Sequence, residues 1–251
     1  MNSKQIDLIP LNDFPIVKVG DIISVLILTT LQKNDIQLAK GDIVAVTHSI
    51  VSVSEDKLYR IDEIEVSDRA KRIAEKTEHS KEHVEVSLRE ASEVLKEIPV
   101  LITRTKQGLI TDFAGVDASN APPGSLVALP DDPDKSAMRI SDSLSKQAGF
   151  RVPVIITDTQ GRPWRKGAVN LAIGVAGMSP FTRNVGKEDI FGNELKGSLV
   201  CLADQLASAA ELVMGQADEG VPVVIIRGVE IDMINGSAFE IIRSDSENLF
   251  G

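Results

Sequence analysis

The sequence predicts a chain of mixed α and β structure, either α/β or α+β. Short runs of β-branched residues alternate with segments of helical periodicity along the chain, and no repeat or low-complexity tract interrupts them. At 251 residues, the chain has room for one large domain or two small ones. Turns at 121–124 and 131–134 could separate lobes, but the pattern places no boundary, so we treat residues 1–251 as a single unit.

Seven strands are predicted from apolar runs rich in valine and isoleucine. Several of these runs have no polar alternation, which is typical of strands that are buried on both faces. The predicted strands span residues 6–10, 43–47, 100–104, 109–111, 152–157, 170–176 and 221–227.

Helices are expected to begin at Asp21, Ser67, Ser80 and Ser136, with a last helix near residue 197. The side chains of the first three can accept hydrogen bonds from the free N–H groups of a first helical turn. The last helix has leucine and alanine on almost every face. This composition predicts burial within a domain or at a subunit interface.

The composition excludes several classes of protein. With 27 basic and 37 acidic side chains the net charge is −10, which argues against binding to nucleic acid through its phosphates. The longest apolar run, residues 22–28, is much shorter than the roughly 20 residues of a membrane span. The lone cysteine, Cys201, excludes an intrachain disulfide and suits a reducing compartment. We therefore expect a soluble cytoplasmic protein that binds neither nucleic acid nor membranes.

The charge is unevenly distributed along the chain. Between residues 151 and 187, six basic residues stand against one acid, so this window carries +5 and the remainder −15. A local positive field in an acidic protein favours a site for small anions. A solvated basic loop is the alternative explanation.

Two segments carry the residue types of a site for a metal ion and phosphate. In the first, Asp117 follows an apolar run and precedes a Pro-Pro-Gly turn. In the second, a buried strand ends in Asp158 and Thr159 and continues into a glycine turn with Arg162 and Arg165. Carboxylate and hydroxyl oxygens suit Mg²⁺ or Mn²⁺, and arginine binds phosphate or carboxylate oxygens in pairs. The alternative is that Asp158 caps a turn and the arginines are surface charges.

Other patterns argue against familiar nucleotide-binding enzymes and against a histidine metal site. The sequence has neither a G-x-x-x-x-G-K-[ST] phosphate loop nor the glycine fingerprint of dinucleotide enzymes. His79 and His83 have the spacing of one helical face, but charged neighbours surround them and no third ligand is close in sequence. We therefore interpret these two histidines as part of a solvated helix face.

Five separated strings of the sequence resemble the coenzyme F420-0:L-glutamate ligase family, the archaeal γ-glutamyl ligases of deazaflavin cofactor synthesis. They are AGVDASN, ITDTQGRPWRKG followed by AIGVAG, DIFGNEL, LADQLASAAELVMGQADEGVPVVIIRG and GSAFEIIRS. The strings occur in the family's order, and the resemblance runs from residue 8 to residue 244. It implies an α+β subunit of mixed sheets and helices with two lobes, and an intertwined homodimer.

The same resemblance implies an activity. Such an enzyme would use GTP to join L-glutamate to coenzyme F420-0, and in turn to coenzyme F420-1, through an acyl phosphate. It would use two divalent cations, Mg²⁺ or Mn²⁺, with K⁺ as a further candidate. From the basic window, we assign Arg162 and Arg165 a catalytic role in holding the acidic acceptor or the phosphates.

The resemblance also implies site residues, position by position. Asp117 and Asp158 match the ligands of one metal ion, and Thr159 and Gln216 match the ligands of the other. The positions that match nucleotide-binding residues are Asn12, Asp13, Phe14, Pro15, His48, Ser49, Asn120, Met214, Gly215, Gln216, Ala217, Asp218, Glu219, Gly220 and Val221.

Departures from the family pattern keep two other functions open. Val53 stands where the family has a phosphate-contacting lysine after the second strand, and Phe113 stands where an asparagine is common. One alternative is a divergent ligase that joins an amino acid to another phosphorylated acid. The other is a nucleotide-binding protein without ligase activity. The positions that match metal ligands are unchanged.

Overall fold

A five-stranded mixed sheet forms the centre of the computed structural model, which describes residues 5–249. The strands in this range are Asp7–Pro10 (β1), Ile43–Thr47 (β2), Leu58–Arg60 (β3), Ala91–Lys96 (β4), Ile102–Thr105 (β5), Ile110–Asp112 (β6), Ser125–Val127 (β7), Val154–Arg162 (β8), Arg165–Ala176 (β9), Phe181–Arg183 (β10), Leu199–Cys201 (β11) and Val223–Arg227 (β12). The helices are Ile23–Lys33 (α1), His48–Ser54 (α2), Asp68–Thr77 (α3), Lys81–Glu90 (α4), Pro133–Ala148 (α5) and Leu202–Met214 (α6). Single 3₁₀ turns span Ile61–Glu63, Phe113–Gly115, Ala238–Ile241 and Asp245–Glu247.

The central sheet has the strand order β1, β12, β2, β8, β9. Strands β2 and β8 run parallel, whereas the other neighbouring pairs run antiparallel. Smaller sheets are formed by β4, β5 and β6, by β3 and β7, and by β10 and β11. Mixed sheets with helices make this an α+β fold, which decides between the two predicted classes.

The central sheet is buried on both faces, as its apolar runs predict. Val44 and Val46 of β2 pack into the core cluster that contains Ile27 of α1 and Leu144 of α5. Ile43 and Ala45, which alternate with them, pack into the opposite cluster with α6. A separate cluster lies between α3, α4 and the β4–β5–β6 sheet. The predicted two lobes stay a prediction.

Each predicted strand overlaps a strand of the structure, but helix starts differ. Ser67 and Ser80 cap α3 and α4 as predicted, each accepting a hydrogen bond from a backbone N–H. Asp21 instead accepts a hydrogen bond from the N–H of Lys18, and α1 begins at Ile23 without a side-chain cap. Helix α5 begins three residues before Ser136, because the Asp132 side chain caps it and a proline follows.

The chain near residue 200 departs from the prediction. Residues 199–201 pair with β10 instead of starting the last helix, and the helix begins at Leu202. Cys201 is therefore half-buried at the helix start, and burial raises the pKa of its thiol to about 12. Such a thiol is almost entirely protonated at neutral pH, which agrees with a structural cysteine.

Helix α6 covers the free edge of the central sheet. The Asp204 carboxylate accepts a hydrogen bond from the Ala172 N–H (3.0 Å), and the Glu211 carboxylate accepts one from the Asn170 N–H (2.8 Å). Ser208, between the two acids, donates to the Asn170 carbonyl (2.8 Å). The spacing 204, 208, 211 places these side chains on one helical face. They satisfy backbone groups of the edge strand β9 that have no neighbouring strand.

No helix of residues 5–249 combines the length and the apolar composition that crossing a bilayer requires.

An ion pair joins the start of β2 to the end of β12. Asp42, which is 1% exposed, accepts hydrogen bonds from Nε and Nη2 of Arg227 at 2.8 Å each. Arg227 also donates to the Gln37 carbonyl, and its side chain is 36% exposed. The pair therefore fixes two central strands through a carboxylate that water does not reach.

We predict that Arg227→Met lowers the free energy of unfolding by about 3 kcal/mol, because it leaves the buried Asp42 carboxylate without its cation. Urea unfolding of the variant and the parent measures the difference. The matched control is Lys71→Met, which breaks the exposed pair between Lys71 and Asp68 (2.9 Å) and should cost less than about 1 kcal/mol. Equal losses in the two variants would contradict a special role for the buried pair.

Candidate functional site

The site begins where the two parallel strands of the central sheet run side by side. Thr47 of β2 is in register with Thr157 of β8, so the residues that follow, His48 and Asp158, are neighbours. His48 Nε2 lies 3.3 Å from Asp158 Oδ1. Because β8 continues to Arg162 in a hairpin with β9, Asp158 and Thr159 lie within the strand, and not at its end as the sequence predicts.

A cavity of about 310 Å³ opens at this place and brings together residues from distant parts of the chain. All four predicted metal ligands line it. Four predicted nucleotide-binding residues besides Gln216 also line it: His48, Ser49, Asn120 and Gly215. Its lining further includes residues to which the sequence assigned no role in a site, among them His79, His83, Asp112, Phe113 and Asn170.

The carboxylate of Asp117 is held in a fixed orientation. Its Oδ1 accepts a hydrogen bond from the Ser119 N–H (2.8 Å), and its Oδ2 accepts one from the Ser119 hydroxyl (2.6 Å). The Asp117 backbone exchanges two 2.8 Å hydrogen bonds with Val127. Gly115, with φ +66°, precedes it at a point where a Cβ would lie 2.8 Å from Leu129. Only glycine fits there, so the turn that presents Asp117 depends on it.

Asp158 is buried, and both of its oxygens have a polar neighbour. Gln160 Nε2 donates to Oδ2 at 3.1 Å, and His48 lies against Oδ1. Burial lowers the pKa of His48, but the charge and hydrogen bond of Asp158, with the charge of Asp117, raise it more, so its pKa lies above the ordinary value. This direction indicates a cavity with a negative potential, which favours bound cations.

The second predicted ligand pair is also assembled. Gln216 Nε2 donates to Thr159 Oγ1 at 2.9 Å. Gln216 follows Gly215, whose φ is +70°. Any larger residue at 215 would place its Cβ against the Glu219 carboxylate. Glu219 in turn accepts a hydrogen bond from the Ala217 N–H (2.8 Å). The loop after α6 is thus closed upon itself and holds Gln216 at the cavity.

A second cavity, of about 700 Å³, adjoins the first. Five residues line both cavities, so the two lie side by side: Thr47, Ser49, Asn120, Gly215 and Gln216. Most of the predicted nucleotide-binding residues line the second one: Phe14, Pro15, Ser49, Asn120, Met214, Gly215, Gln216, Ala217, Glu219, Gly220 and Val221. The lining of neither cavity includes Asn12, Asp13 or Asp218.

The two arginines with a predicted catalytic role lie elsewhere. Arg162 and Arg165 pair with each other at the tip of the β8–β9 hairpin and line neither cavity. Arg162 Nη2 donates to the carbonyls of Lys166 (3.1 Å) and Gly167 (3.3 Å). Those donors stabilise the hairpin itself, and the catalytic role of both arginines stays a prediction.

The interpretation of the two histidines as a solvated helix face is only partly right, because His79 is exposed but lies in the turn between α3 and α4, and His83 of α4 is half-buried. His79 and His83 line the first cavity, and both rings stack on Phe113, at centroid distances of 3.9 and 5.1 Å. His83 Nε2 donates to the Val116 carbonyl at 2.7 Å, and burial lowers the pKa of this imidazole. Phe113 follows His83 by 30 residues in the sequence, so the helical spacing of the two histidines could not indicate this contact.

Sequence reasoning also missed Glu211 and Asn170. Glu211 accepts hydrogen bonds from the Asn170 N–H and from Gln216 Nε2 (2.6 Å). A single acid within the apolar run 206–214 is a signal that could have drawn attention to it, since an unpaired carboxylate is costly among apolar side chains.

The donor atoms fit a hard cation. The described part of the chain contains no cluster of three or more His, Cys, Asp and Glu side chains that could hold a metal ion. The cavity instead offers the carboxylates of Asp117 and Asp158 and the neutral oxygens of Thr159 and Gln216. Mg²⁺ and Mn²⁺ bind such oxygen sets when phosphate and water supply the other ligands.

Comparison with known proteins places the chain in a family. It matches the F420-0:Gamma-glutamyl ligase family over residues 12–228. It is 48% identical to the Coenzyme F420:L-glutamate ligase of Methanopyrus kandleri over 219 residues, which cover 85% of this chain and 87% of the relative. The protein of the same name from Methanothermobacter thermautotrophicus is 44% identical over 224 residues, 89% of each chain. That from Archaeoglobus fulgidus is 37% identical over 245 residues, 98% of this chain and 96% of the relative.

The match extends far beyond the five strings on which the resemblance rests, and the resemblance is confirmed. The chain belongs to the F420-0:Gamma-glutamyl ligase family.

Proposed function

We propose that this protein is a GTP-dependent γ-glutamyl ligase that joins L-glutamate to coenzyme F420-0 and then to coenzyme F420-1. The observation that carries the proposal is that two different cavities adjoin and share five lining residues. One is lined by oxygen atoms that suit a hard cation, and the other is larger and mostly apolar. Asn120 and Gln216 line both, so a nucleotide base in the second cavity can extend its phosphates into the first. The names of the relatives support the choice of acceptor.

In this proposal, Asp117 and Asp158 would hold one divalent cation, and Thr159 and Gln216 would hold the other. When bound, the cations neutralise charge on the phosphates of GTP. His48 Nε2 lies 3.3 Å from Asp158 Oδ1, and the charge of Asp158 raises the pKa of this imidazole, which favours its protonated form. K⁺ is a further proposed cofactor.

The chemistry needs an activated carboxyl group. A carboxylate oxygen of the acceptor attacks the γ-phosphorus of GTP, and the bond between the γ-phosphorus and the β-phosphate oxygen breaks. GDP is the leaving group, and the acceptor now carries an acyl phosphate. The amine of glutamate then attacks the acyl carbon and releases inorganic phosphate, while the ammonium proton is lost to a base. The chain's own contribution is to align these groups, because a fixed Asp117 and a closed loop at Gln216 leave little freedom to the phosphates.

We also propose a homodimer. Large apolar side chains are exposed on the β8–β9 hairpin, on the segment between β10 and β11, and on α6; they are Trp164, Ile190, Phe191 and Leu212. Large exposed apolar side chains are typical of surfaces that a partner covers. A second copy of the chain would cover them. Light scattering at several protein concentrations tests this state.

The activity is tested by incubating the protein with GTP, Mn²⁺, L-glutamate and coenzyme F420-0. The expected product is heavier by one glutamyl unit, with one phosphate released for each bond formed. If phosphate is released only with a different phosphorylated acid, that acid is the acceptor and coenzyme F420-0 is not. If GTP binds but no acid is turned over, the protein is a nucleotide-binding protein without ligase activity.

We predict that Asp117→Asn and Asp158→Asn each reduce kcat/KM by about 100-fold or more at limiting Mn²⁺, because an amide removes ligand charge without changing shape. Steady-state kinetics at several Mn²⁺ concentrations measures the loss. The control is Asp142→Asn, an exposed residue of α5 outside both cavities, which should leave turnover unchanged. Near-normal turnover in either site variant would remove that residue from the metal site.

We predict that Val53→Lys tightens GDP binding. Val53 lies in helix α2, is 6% exposed and belongs to the core cluster that contains Ile27 and Leu144. It lines the second cavity, from which a longer side chain would extend toward the phosphates in the adjoining first cavity. A charge-assisted contact, less the cost of ordering the lysine, gives a gain of about threefold to thirtyfold. Titration calorimetry with GDP and Mn²⁺ at two salt concentrations measures it, and the gain should shrink with salt.

The matched control for this substitution is Val53→Met, which adds length without charge. It should leave the affinity for GDP unchanged. If Val53→Lys lowers the melting temperature and gains no affinity, the lysine is buried without a partner and the position does not contact phosphate.

A further inference from the structure

Glu211 makes two different contacts through its two carboxylate oxygens. Its Oε2 accepts a hydrogen bond from the Asn170 N–H of edge strand β9, at 2.8 Å. Its Oε1 accepts one from Gln216 Nε2, at 2.6 Å. The first contact belongs to the hydrogen bonds by which Asp204, Ser208 and Glu211 of α6 meet β9, which we call the helix-to-strand seam. The second reaches a residue that lines both cavities.

The second contact determines which end of the Gln216 amide faces Glu211. An ionised carboxylate only accepts hydrogen bonds, so the amide atom 2.6 Å from it has to be the NH₂ group. The other NH₂ hydrogen points to Thr159 Oγ1, at 2.9 Å. With both hydrogens used, the carbonyl oxygen Oε1 of Gln216 is the atom left to accept from, or ligate, a group in the cavity.

The Thr159 hydroxyl supports the same orientation. Its oxygen lies 2.6 Å from Asn170 Oδ1 and 3.2 Å from Gln216 Oε1, and it has a single hydrogen to donate. The shorter distance assigns that hydrogen to Asn170. Thr159 Oγ1 then accepts from Gln216 Nε2, and the Gln216 carbonyl is not occupied by it.

We propose that Glu211 is a positioning residue that holds the Gln216 carbonyl oxygen toward the cation proposed at Thr159 and Gln216. The inference rests on the proposed function, since it concerns the cation that this function requires. Glu211 does not touch the cation or the substrate. It acts through Gln216, in the way that outer hydrogen bonds orient metal ligands in other proteins.

Asp204 provides a matched control on the same helix. It makes the same kind of contact with the edge strand, to the Ala172 N–H at 3.0 Å. It lines neither cavity, and it has no contact with Gln216 among the hydrogen bonds of residues 5–249. Asp204→Asn therefore reports what a carboxylate-to-amide change costs the seam alone.

The experiment is a Mn²⁺ titration in the presence of GDP, followed by electron paramagnetic resonance of the free ion. Glu211→Gln can still accept from Asn170, but its own NH₂ group would face the NH₂ group of Gln216, and the amide would turn. We expect two Mn²⁺ ions on the wild-type protein and an affinity for one of them about 10- to 100-fold weaker in Glu211→Gln. Asp204→Asn should bind both ions as the wild type does.

A double-substitution cycle separates positioning from loss of structure. Gln216→Ala removes the ligand directly and leaves the seam intact. If Glu211 acts through Gln216, the double variant Glu211→Gln/Gln216→Ala should bind Mn²⁺ no more weakly than Gln216→Ala alone. Melting temperatures of all variants, measured without metal, verify that each is folded.

Three results would overturn the proposal. Wild-type affinity for both ions in Glu211→Gln would show that the carboxylate does not orient the ligand. Additive losses in the double variant, or an equal loss in Asp204→Asn, would assign the effect to the seam. If the wild-type protein bound no Mn²⁺ with GDP, the proposed function itself would fail along with the inference, and that result is distinct from the other two.

Discussion

The parallel pairing of β2 with β8 is the constraint on which the rest of the site depends. Because the two strands run in the same direction, their polar continuations, His48 and Asp158, meet at one edge of the sheet. An antiparallel pairing would put them at opposite ends. The loops that carry Asp117 and Gln216 then have a fixed edge against which to close. Ligand sites in open sheets form at such carboxyl ends for the same reason.

Helix α6 connects the scaffold with the site. The polar side chains on one face of α6 hydrogen-bond to backbone groups at the outer edge of β9, where the sheet has no further strand; they are Asp204, Ser208 and Glu211. The same helix ends at Met214, immediately before the loop that carries Gln216. The seam that protects a sheet edge from unwanted pairing therefore also determines where the loop begins. Glu211 contacts both the edge strand and Gln216, so it links the helix-to-strand seam to the loop at the cavity.

The sequence predicted the elements whose signal is local and strong. The apolar runs of β2, β8 and β12 are buried on both faces and were found, whereas β3, β7, β10 and β11 are three-residue strands whose pairing depends on distant partners. Val84, Leu88, Ala91 and Leu95 have the apolar spacing of one helix, but residues 91–96 pair with β5, and this tertiary pairing overrides the helical periodicity. The contact of Phe113 with His79 and His83 is equally non-local. The predicted metal ligands were assigned from the resemblance together with the strand-end argument; the structure brings them to one cavity, and their role as ligands stays a prediction.

The two carboxylates of the first cavity create an electrostatic problem that the scaffold solves before any cation binds. Asp117 and Asp158 both contribute negative potential at His48, and like charges in a partly buried cavity repel. Asp117 is held against this repulsion by Ser119, and Asp158 by Gln160 and His48. Gly115 permits the close turn that keeps Asp117 in place. Since the two carboxylates are already oriented, a cation of the proposed kind would gain their full charge and lose little to reorganisation, in contrast to a cation at a cluster of mobile surface acids.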